Sequence, residues 1–487
     1  SRDSPVHPGF GPRIFWPTAS GKASGGSRAE GRESQGNLLT FGDGALASSI
    51  FGFRNCFHRE RRKSRGPPKA FDSGSQPELI GRKNALIVNS KNSPRVFYSF
   101  PHKLGAGRIC TTAWHQVDGL AQAGADVTVI TGSICRPLPA KVRVHTTLAW
   151  NGFRLPTRLL GTRRACALHD WLAARRLGKM AGQVDLVHVW PQGALRTMRV
   201  AKRLGIPTFL ERPNAHTRFA YEVVREECRK LGISMPPGHE HDYNPAILKH
   251  EEAEYALADY LLCPSDFVAR TFRDRGFPAD KLLRHQYGFN EKMFHPDPET
   301  RTSRDGLTIL FAGGCAPRKG LHYALDAWLQ SSASKRGTFL IAGGFIPGYA
   351  ERLSRQLADP SVKVLGHRND LPELMRKSDA LVLPSIEEGS ALVTSEARGS
   401  GCVLLVSDAA GAICADGENA FIHVAGDVRA LAEQLDRISN DRALLARMRA
   451  NSLSSVHQIT WQAAGIRLNE IYLKELLGRQ PKACRTK

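Results

Sequence analysis

Glu388 and Glu396 are separated by seven residues in the stretch LVLPSIEEGSALVTSEARGSGCVLLVSD, positions 381–408. The pattern around them reads as a buried strand (Ala380 to Leu383), a Pro-Ser turn, an acidic loop, a helix opening near Ala391 and a second apolar strand (Val403 to Ser407). One carboxylate then lies in the loop and the other about two turns along the helix, so both can face one crevice at the carboxyl end of the first strand. Ligands of open α/β sheets bind at such crevices, and carboxylates there can hold hydroxyl groups or steady a developing positive charge. Gly389 keeps the loop tip small, so that a substrate can approach the backbone closely.

The elements that must position these groups alternate along the chain. Arg95 to Phe100 reads as a strand, Pro101 to Gly107 as a loop, Thr111 to Ala123 as a helix and Asp126 to Thr131 as the next strand, a βαβ unit with a glycine-rich first turn. Further strands are expected at Val184 to Trp190, Ile206 to Glu211 and Ala258 to Ser265, with a helix around Ala194 to Leu204. Pro296 to Gly306 is polar and turn-rich, as a hinge would be. Beyond it the alternation resumes: strands at Leu307 to Ala312, Thr338 to Ala342 and Val362 to Leu365, and helices at Leu321 to Gln330, Tyr349 to Leu357 and Leu371 to Lys377. Helices at Ala430 to Ile438, Arg442 to Ala450 and Trp461 to Leu476 complete the pattern.

Glu-x7-Glu followed by Gly401-Cys402-Val403-Leu404-Leu405-Val406-Ser407-Asp408 resembles the signature of glycosyltransferase family 4, enzymes of the two-domain GT-B fold. The likeness runs, with gaps, from about Arg95 to about Leu476. It implies two Rossmann-like, doubly wound parallel-sheet α/β domains facing a central cleft. Their expected bounds are 93–298 for an acceptor domain completed by a C-terminal helix at 460–478, and 299–459 for a donor domain. Residues 1–92 would be a disordered basic extension and 479–487 a tail.

The resemblance also implies roles. Glu388 would lie beside the donor sugar and Glu396 would hold the ribose of the nucleotide. Gly105 and Gly107 match the N-terminal glycine loop, whose backbone N–H groups lie near the donor phosphates, where a helix N-terminus favours an anion. His216, in Glu211-Arg212-Pro213-Asn214-Ala215-His216, is the nearest match to a histidine that touches the donor sugar, with Arg212 and Asn214 as substitutes. Gly313-Gly314-Cys315-Ala316-Pro317-Arg318-Lys319-Gly320 matches a family pattern, Gly-Arg-Leu-x-x-x-Lys-Gly, at Lys319 and Gly320. Gly314 stands where the family has an arginine. Arg318 is then the candidate to reach the diphosphate from the other side of the turn, its alternative being a surface arginine. Fixed cations of this kind stabilise the charge that grows on a departing diphosphate. The implied activity is transfer of a sugar from a nucleotide-diphosphate sugar to a sugar, lipid-linked or other small acceptor, with retention and without a metal or other cofactor, in polysaccharide or glycoconjugate biosynthesis. Two other readings stay open: a sugar-nucleotide epimerase on the same architecture, and a non-catalytic nucleotide-sugar-binding protein.

Length and composition fit this. The chain has 487 residues, 41% of them hydrophobic, enough for two or three cores. A formal net charge of +22 and a pI near 9.8 favour anionic partners. The ten cysteines show no C-x-x-C pair, and their apolar settings suggest reduced thiols of a cytoplasmic protein. The run from Arg59 to Arg65 suggests an unstructured arm more than a nucleic-acid tail, so nucleic acid is not an expected partner. The Arg-rich stretch 154–180 reads either as a basic amphipathic helix in peripheral contact with an anionic membrane or as an ordinary surface helix. Gly238-His239-Glu240-His241-Asp242, with His250 and Glu251, matches no metal-ligand spacing.

Overall fold

The computed structural model describes residues 93–150, 153–155, 161–297 and 306–479. The expected N-terminal extension, most of the hinge and nearly all of the tail lie outside these residues. The chain lays out two parallel sheets in succession. The first uses β1 (Arg95–Leu104), β2 (Asp126–Ile134), β3 (Arg143–Thr146), β6 (Leu186–Val189), β7 (Thr208–Glu211), β8 (Tyr260–Cys263) and β9 (Leu282–Arg284), in the order β3-β2-β1-β6-β7-β8-β9. A short hairpin of β4 (Ala149–Trp150) and β5 (Phe153–Arg154) stands apart. The second sheet uses β10 (Thr308–Ala312), β11 (Thr338–Ala342), β12 (Val362–Gly366), β13 (Ala380–Leu383), β14 (Val403–Ser407) and β15 (Ala420–His423), in the order β12-β11-β10-β13-β14-β15.

Each order reverses direction once, at β1/β6 and at β10/β13. Chain-order reversals open a crevice at the carboxyl ends of the two strands concerned, because the connecting helices leave to opposite faces. Both crevices prove central to the site.

The helices of the first lobe are α1 (Ile109–Gln122), α2 (Thr162–Lys179), α3 (Leu195–Arg203), α4 (Thr217–Leu231), α5 (Pro245–Leu257) and α6 (Asp266–Arg273). Those of the second are α7 (Leu321–Gln330), α8 (Tyr349–Arg352), α9 (Ser354–Leu357), α10 (Leu371–Arg376), α11 (Leu392–Gly399), α12 (Val428–Asn440) and α13 (Arg442–Ser455). The last helix, α14 (Trp461–Gly478), returns to the first sheet, where Leu468, Ile471 and Tyr472 are buried with Val96, Tyr98 and Leu120. Gly119 of α1 meets Gly465 of α14, where an added Cβ would lie 2.9 Å from the facing Cα. Only residues without side chains let the two backbones approach this closely.

The central strands of both sheets are nearly continuous apolar runs, as burial on two faces requires. Two apolar clusters cover the faces of the first sheet, and a third packs β10 to β14 against α7, α12 and α13. Several boundaries differ from the sequence expectation. β1 continues through Pro101 to Leu104, where a loop is expected, because an irregularity between Phe100 and Lys103 absorbs the proline while pairing with β2 resumes. The helix expected over Tyr349 to Leu357 breaks at Leu353 into α8 and α9. α4 and α5, and the strands β3, β9 and β15, have no counterpart in the expected pattern. The eight described cysteines are free thiols. Among the described residues, no helix is long and apolar enough to cross a membrane.

Candidate active site

Lys319 and Arg318 lie in a 3-10 turn, Pro317–Lys319, just after β10, and Glu387 and Glu388 lie in the loop after β13. These four residues therefore flank the β10/β13 crevice. The two loops are tied together by the Ile386 N–H, which donates to the Arg318 carbonyl at 2.9 Å. Arg318 Nη1 donates to the Glu387 carbonyl at 3.0 Å, lies 2.9 Å from Glu388 Oε2 and 3.4 Å from Glu387 Oε2. Lys319 Nζ pairs with the other oxygen of Glu388. Gly313 leaves room beside this ammonium: a Cβ built on it would lie 3.7 Å from Lys319 Cε.

The electrostatics follow from burial and pairing. Burial alone would raise the Glu388 carboxyl, but Arg318 and Lys319 outweigh it and hold the group below the usual carboxylate range. Burial likewise opposes the charge on Glu387, yet His241, Arg318 and the Ala215 N–H bring it down to about 2. For Arg318, burial works against the cation and the carboxylates of Glu388, Glu387 and Glu240 prevail, so its affinity for the proton is raised. Glu396 on α11 differs: burial pushes it up to about 7, and its carboxylate has no hydrogen-bond partner among the described residues.

Facing this cluster is a cavity of about 300 Å³ in the first lobe, at the β1/β6 crevice. His102 of β1, Trp190 and Gln192 after β6, Asn214 after β7, and His239 and His241 contribute to its wall. Residues of that wall reach across to the acidic loop. His241 Nε2 donates to Glu387 Oε2 at 3.0 Å, and the Ala215 N–H donates to Glu387 Oε1 at 3.2 Å. Glu240 Oε1 lies 3.7 Å from Arg318 Nη2. Gly389 touches the same wall so closely that a Cβ on it would fall 1.5 Å from the Pro213 carbonyl oxygen. Away from the cavity, buried Glu227 of α4 accepts from His322 (2.9 Å) and Tyr323 (2.6 Å) of α7, and Arg270 pairs with Asp408 at 2.8 Å.

Lys319, Arg318, Gly313, Glu388 and Gly389 thus come together, with Glu396 on the helix that follows. His216 does not join them. Its ring packs among Tyr255, Phe272 and Phe277, its Nδ1 accepts from the Arg218 N–H at 3.2 Å, and it caps α4. Burial, with Arg212, Arg275 and Arg218 nearby, lowers its imidazole to about 3. The reason is local: the residue that opens a helix turns its side chain back onto the first-turn N–H groups. Both of its substitutes, Asn214 and Arg212, line the cavity, and Arg212 is buried there and paired with Glu251 at 3.2 Å.

Gly105 and Gly107 flank the cavity in sequence, between His102 and Ile109, which both line it. Their N–H groups are not free for phosphates: Gly105 N donates to the Cys110 carbonyl (2.9 Å) and Gly107 N to Thr111 Oγ1 (3.0 Å). Glu387, His241 and Glu240 join the candidate site without having been singled out for it in the sequence. The signal was the doubled Glu387-Glu388 and the Gly238 to Asp242 run, whose polar groups serve contacts across the lobes. Among the described residues no group of three or more His, Cys, Asp or Glu is arranged to hold a metal ion. Asp242 accepts from the Gly238 N–H, and His250 pairs with Glu254.

A family model described as Glycosyltransferase Family 4 matches residues 111–284, and one described as Glycosyl transferases group 1 matches 306–441. The chain is 26% identical over 349 residues to a D-inositol 3-phosphate glycosyltransferase of Streptomyces bingchenggensis, covering 64% of this chain and 71% of that one. In fold it is similar to sucrose-phosphate synthase from Thermosynechococcus elongatus (TM-score 0.57, 19% identity, 79% of this chain and 100% of that one). It is similar also to Anabaena HepE solved with UDP (TM-score 0.53, 16% identity, 77% and 99%). Two switch-point crevices facing each other, with cations and carboxylates gathered at one of them, and two matched halves of one family agree: the chain is an enzyme of glycosyltransferase family 4, a group 1 glycosyltransferase of GT-B fold.

Proposed function

We propose that the chain moves a glycosyl group from a nucleotide-diphosphate sugar, held at the β10/β13 crevice, to a hydroxyl of an acceptor in the first-lobe cavity. The observation that carries this is the convergence of Arg318, Lys319 and Glu388 directly against the wall of that cavity. In this reading the acceptor lobe spans 93–298 with 460–478, and the donor lobe spans 299–459.

Lys319 and Arg318 take up the charge that grows on the diphosphate as the bond from sugar C1 to the phosphate oxygen lengthens. Such fixed donors in a partly closed site are worth far more than in water. Glu388 holds sugar hydroxyls and favours the oxocarbenium-like transition state. The ribose falls to Glu396, whose unpartnered carboxylate can accept both hydroxyl hydrogens. The acceptor oxygen enters from the cavity side, the anomeric configuration is retained, and no metal or cofactor takes part. HepE solved with UDP favours a uridine donor, and the relatives named D-inositol 3-phosphate glycosyltransferase favour a ring-shaped acceptor. Exposed Trp171 and the guanidinium groups of Arg175, Arg196, Arg199 and Arg203 line one groove between α2 and α3, a surface suited to the anionic cytoplasmic face of a membrane.

A thermal-shift panel of UDP, ADP and GDP with their sugars tests the donor, since a ligand of the native state stabilises by RT ln(1 + [L]/Kd). Release of nucleotide from the stabilising donor, compared between the natural protein and Lys319→Ala, tests the chemistry. Near-normal turnover in a folded Lys319→Ala overturns the assignment.

A further inference from the structure

The wall of the first-lobe cavity carries more negative than positive charge. Glu240, Asp242 and Glu251 line it, and the one cation of the lining residues is Arg212. Arg212 is spent: it pairs with Glu251 at 3.2 Å, donates to the Ala215 carbonyl and stacks over Tyr255 at 4.3 Å. Glu240 remains open to the cavity mouth, with its side chain 59% exposed, His241 Nδ1 3.7 Å away, and Arg318 also 3.7 Å away but already shared between Glu387 and Glu388. Burial lowers the imidazoles of His102 and His239, which keeps these two lining rings uncharged near neutral pH.

The remaining lining groups suit a polyol. Asn214 and the two neutral imidazoles offer hydrogen-bond donors and acceptors, while Ile109, Pro191, Pro213 and Ile247 supply an apolar wall for ring C–H groups. About 300 Å³ lies at the small end of ligand pockets.

We infer that the cavity takes an uncharged, hydroxyl-rich ring and rejects a phosphorylated one, with Glu240 and Asp242 as the rejecting charges. This rests on the donor and acceptor assignment above, and it separates the chain from relatives named for inositol 3-phosphate. A phosphate dianion about 6 Å from one carboxylate in a water-like dielectric loses about tenfold in affinity.

Saturation-transfer NMR on the full chain, with and without UDP, tests this using myo-inositol, D-glucose and a monophosphate of each as probes. The neutral probes are expected to half-saturate at concentrations at least about tenfold below their phosphates. Glu240→Gln should narrow that ratio by about threefold or more, and Ile247→Trp, which fills the cavity from its wall, should abolish the neutral-probe signal. Phosphates that bind as well as the neutral rings overturn the inference. So do neutral rings that fail to bind, or that still bind to Ile247→Trp. The UDP titration reads the donor assignment separately: every lining residue belongs to the first lobe, so the probes report on the cavity even where UDP does not bind.

Discussion

The guanidinium of Arg318 lies 2.9 Å from the carboxylate of Glu388, and both side chains are almost entirely buried. Glu388 has a second cation in Lys319, whereas Glu387 relies on Arg318 and His241. The two cations are therefore separable by experiment. Arg318→Ala should cost about 3 kcal/mol of stability, because it leaves buried carboxylates short of a partner, and about 10²-fold or more in turnover. Lys319→Ala should cost as much turnover with a clearly smaller loss of stability, since Arg318 still neutralises Glu388. Urea denaturation beside nucleotide release checks both, and equal destabilisation by the two substitutions would contradict the division.

Gly389 has no space for a methyl group. Its Cβ would fall 1.5 Å from the Pro213 carbonyl, so Gly389→Ala must push the acidic loop away from the cavity wall. Turnover should drop at least about tenfold while UDP affinity changes less, since a small misplacement of reacting groups costs rate before it costs binding. Calorimetry with UDP, alongside donor turnover, reads the two separately.

Glu396 predicts two pH effects. Its folded value near 7 stands above the ordinary carboxyl value of 4.5 because burial favours the neutral form. Its contribution to stability is thus fully present below pH 4.5 and is lost as pH rises through 7. Glu396→Gln should flatten the fall in stability over that window. Nucleotide affinity should move the opposite way, rising through pH 7 as the carboxylate forms and accepts the ribose hydroxyls. Calorimetric titrations of UDP at pH 5.5, 7 and 8.5 should show this rise in the natural protein and not in Glu396→Gln.

His216 separates a cap from a catalyst. His216→Asn keeps a side-chain acceptor for the first turn of α4 and should be well tolerated, whereas His216→Ala should lose about 1 kcal/mol. Turnover of both, at a temperature where both are folded, should stay within about threefold of the natural protein. A hundredfold fall in folded His216→Asn would return the imidazole to the chemistry.

The strands that flank the site were legible because burial on both faces writes an unbroken apolar run: Thr338–Ala342, Ala380–Leu383 and Val403–Ser407 match their expected bounds residue for residue. The edge strands β3 and β9 were not, since short strands with partly exposed faces carry no such run. Glu388 was legible through its spacing from Glu396 after a strand, and Lys319 through the resemblance of its loop to a family pattern. Glu387 and His241 were not, because their meaning lies in a contact between distant segments that no local pattern encodes. The helix-capping place of His216 was hidden for the same reason, as a polar residue after a strand looks alike in sequence whether it faces a cavity or closes a helix.

The return of α14 to the first sheet makes the order of synthesis matter. Tyr472, whose hydroxyl lies 2.5 Å from Nδ1 of buried His188, is among the last described residues to leave the ribosome, yet it helps seal a core begun at Val96. The first lobe therefore waits, with part of its apolar surface uncovered, until the whole second lobe has been made. Losing the last turns of α14 would wound the lobe that was translated first.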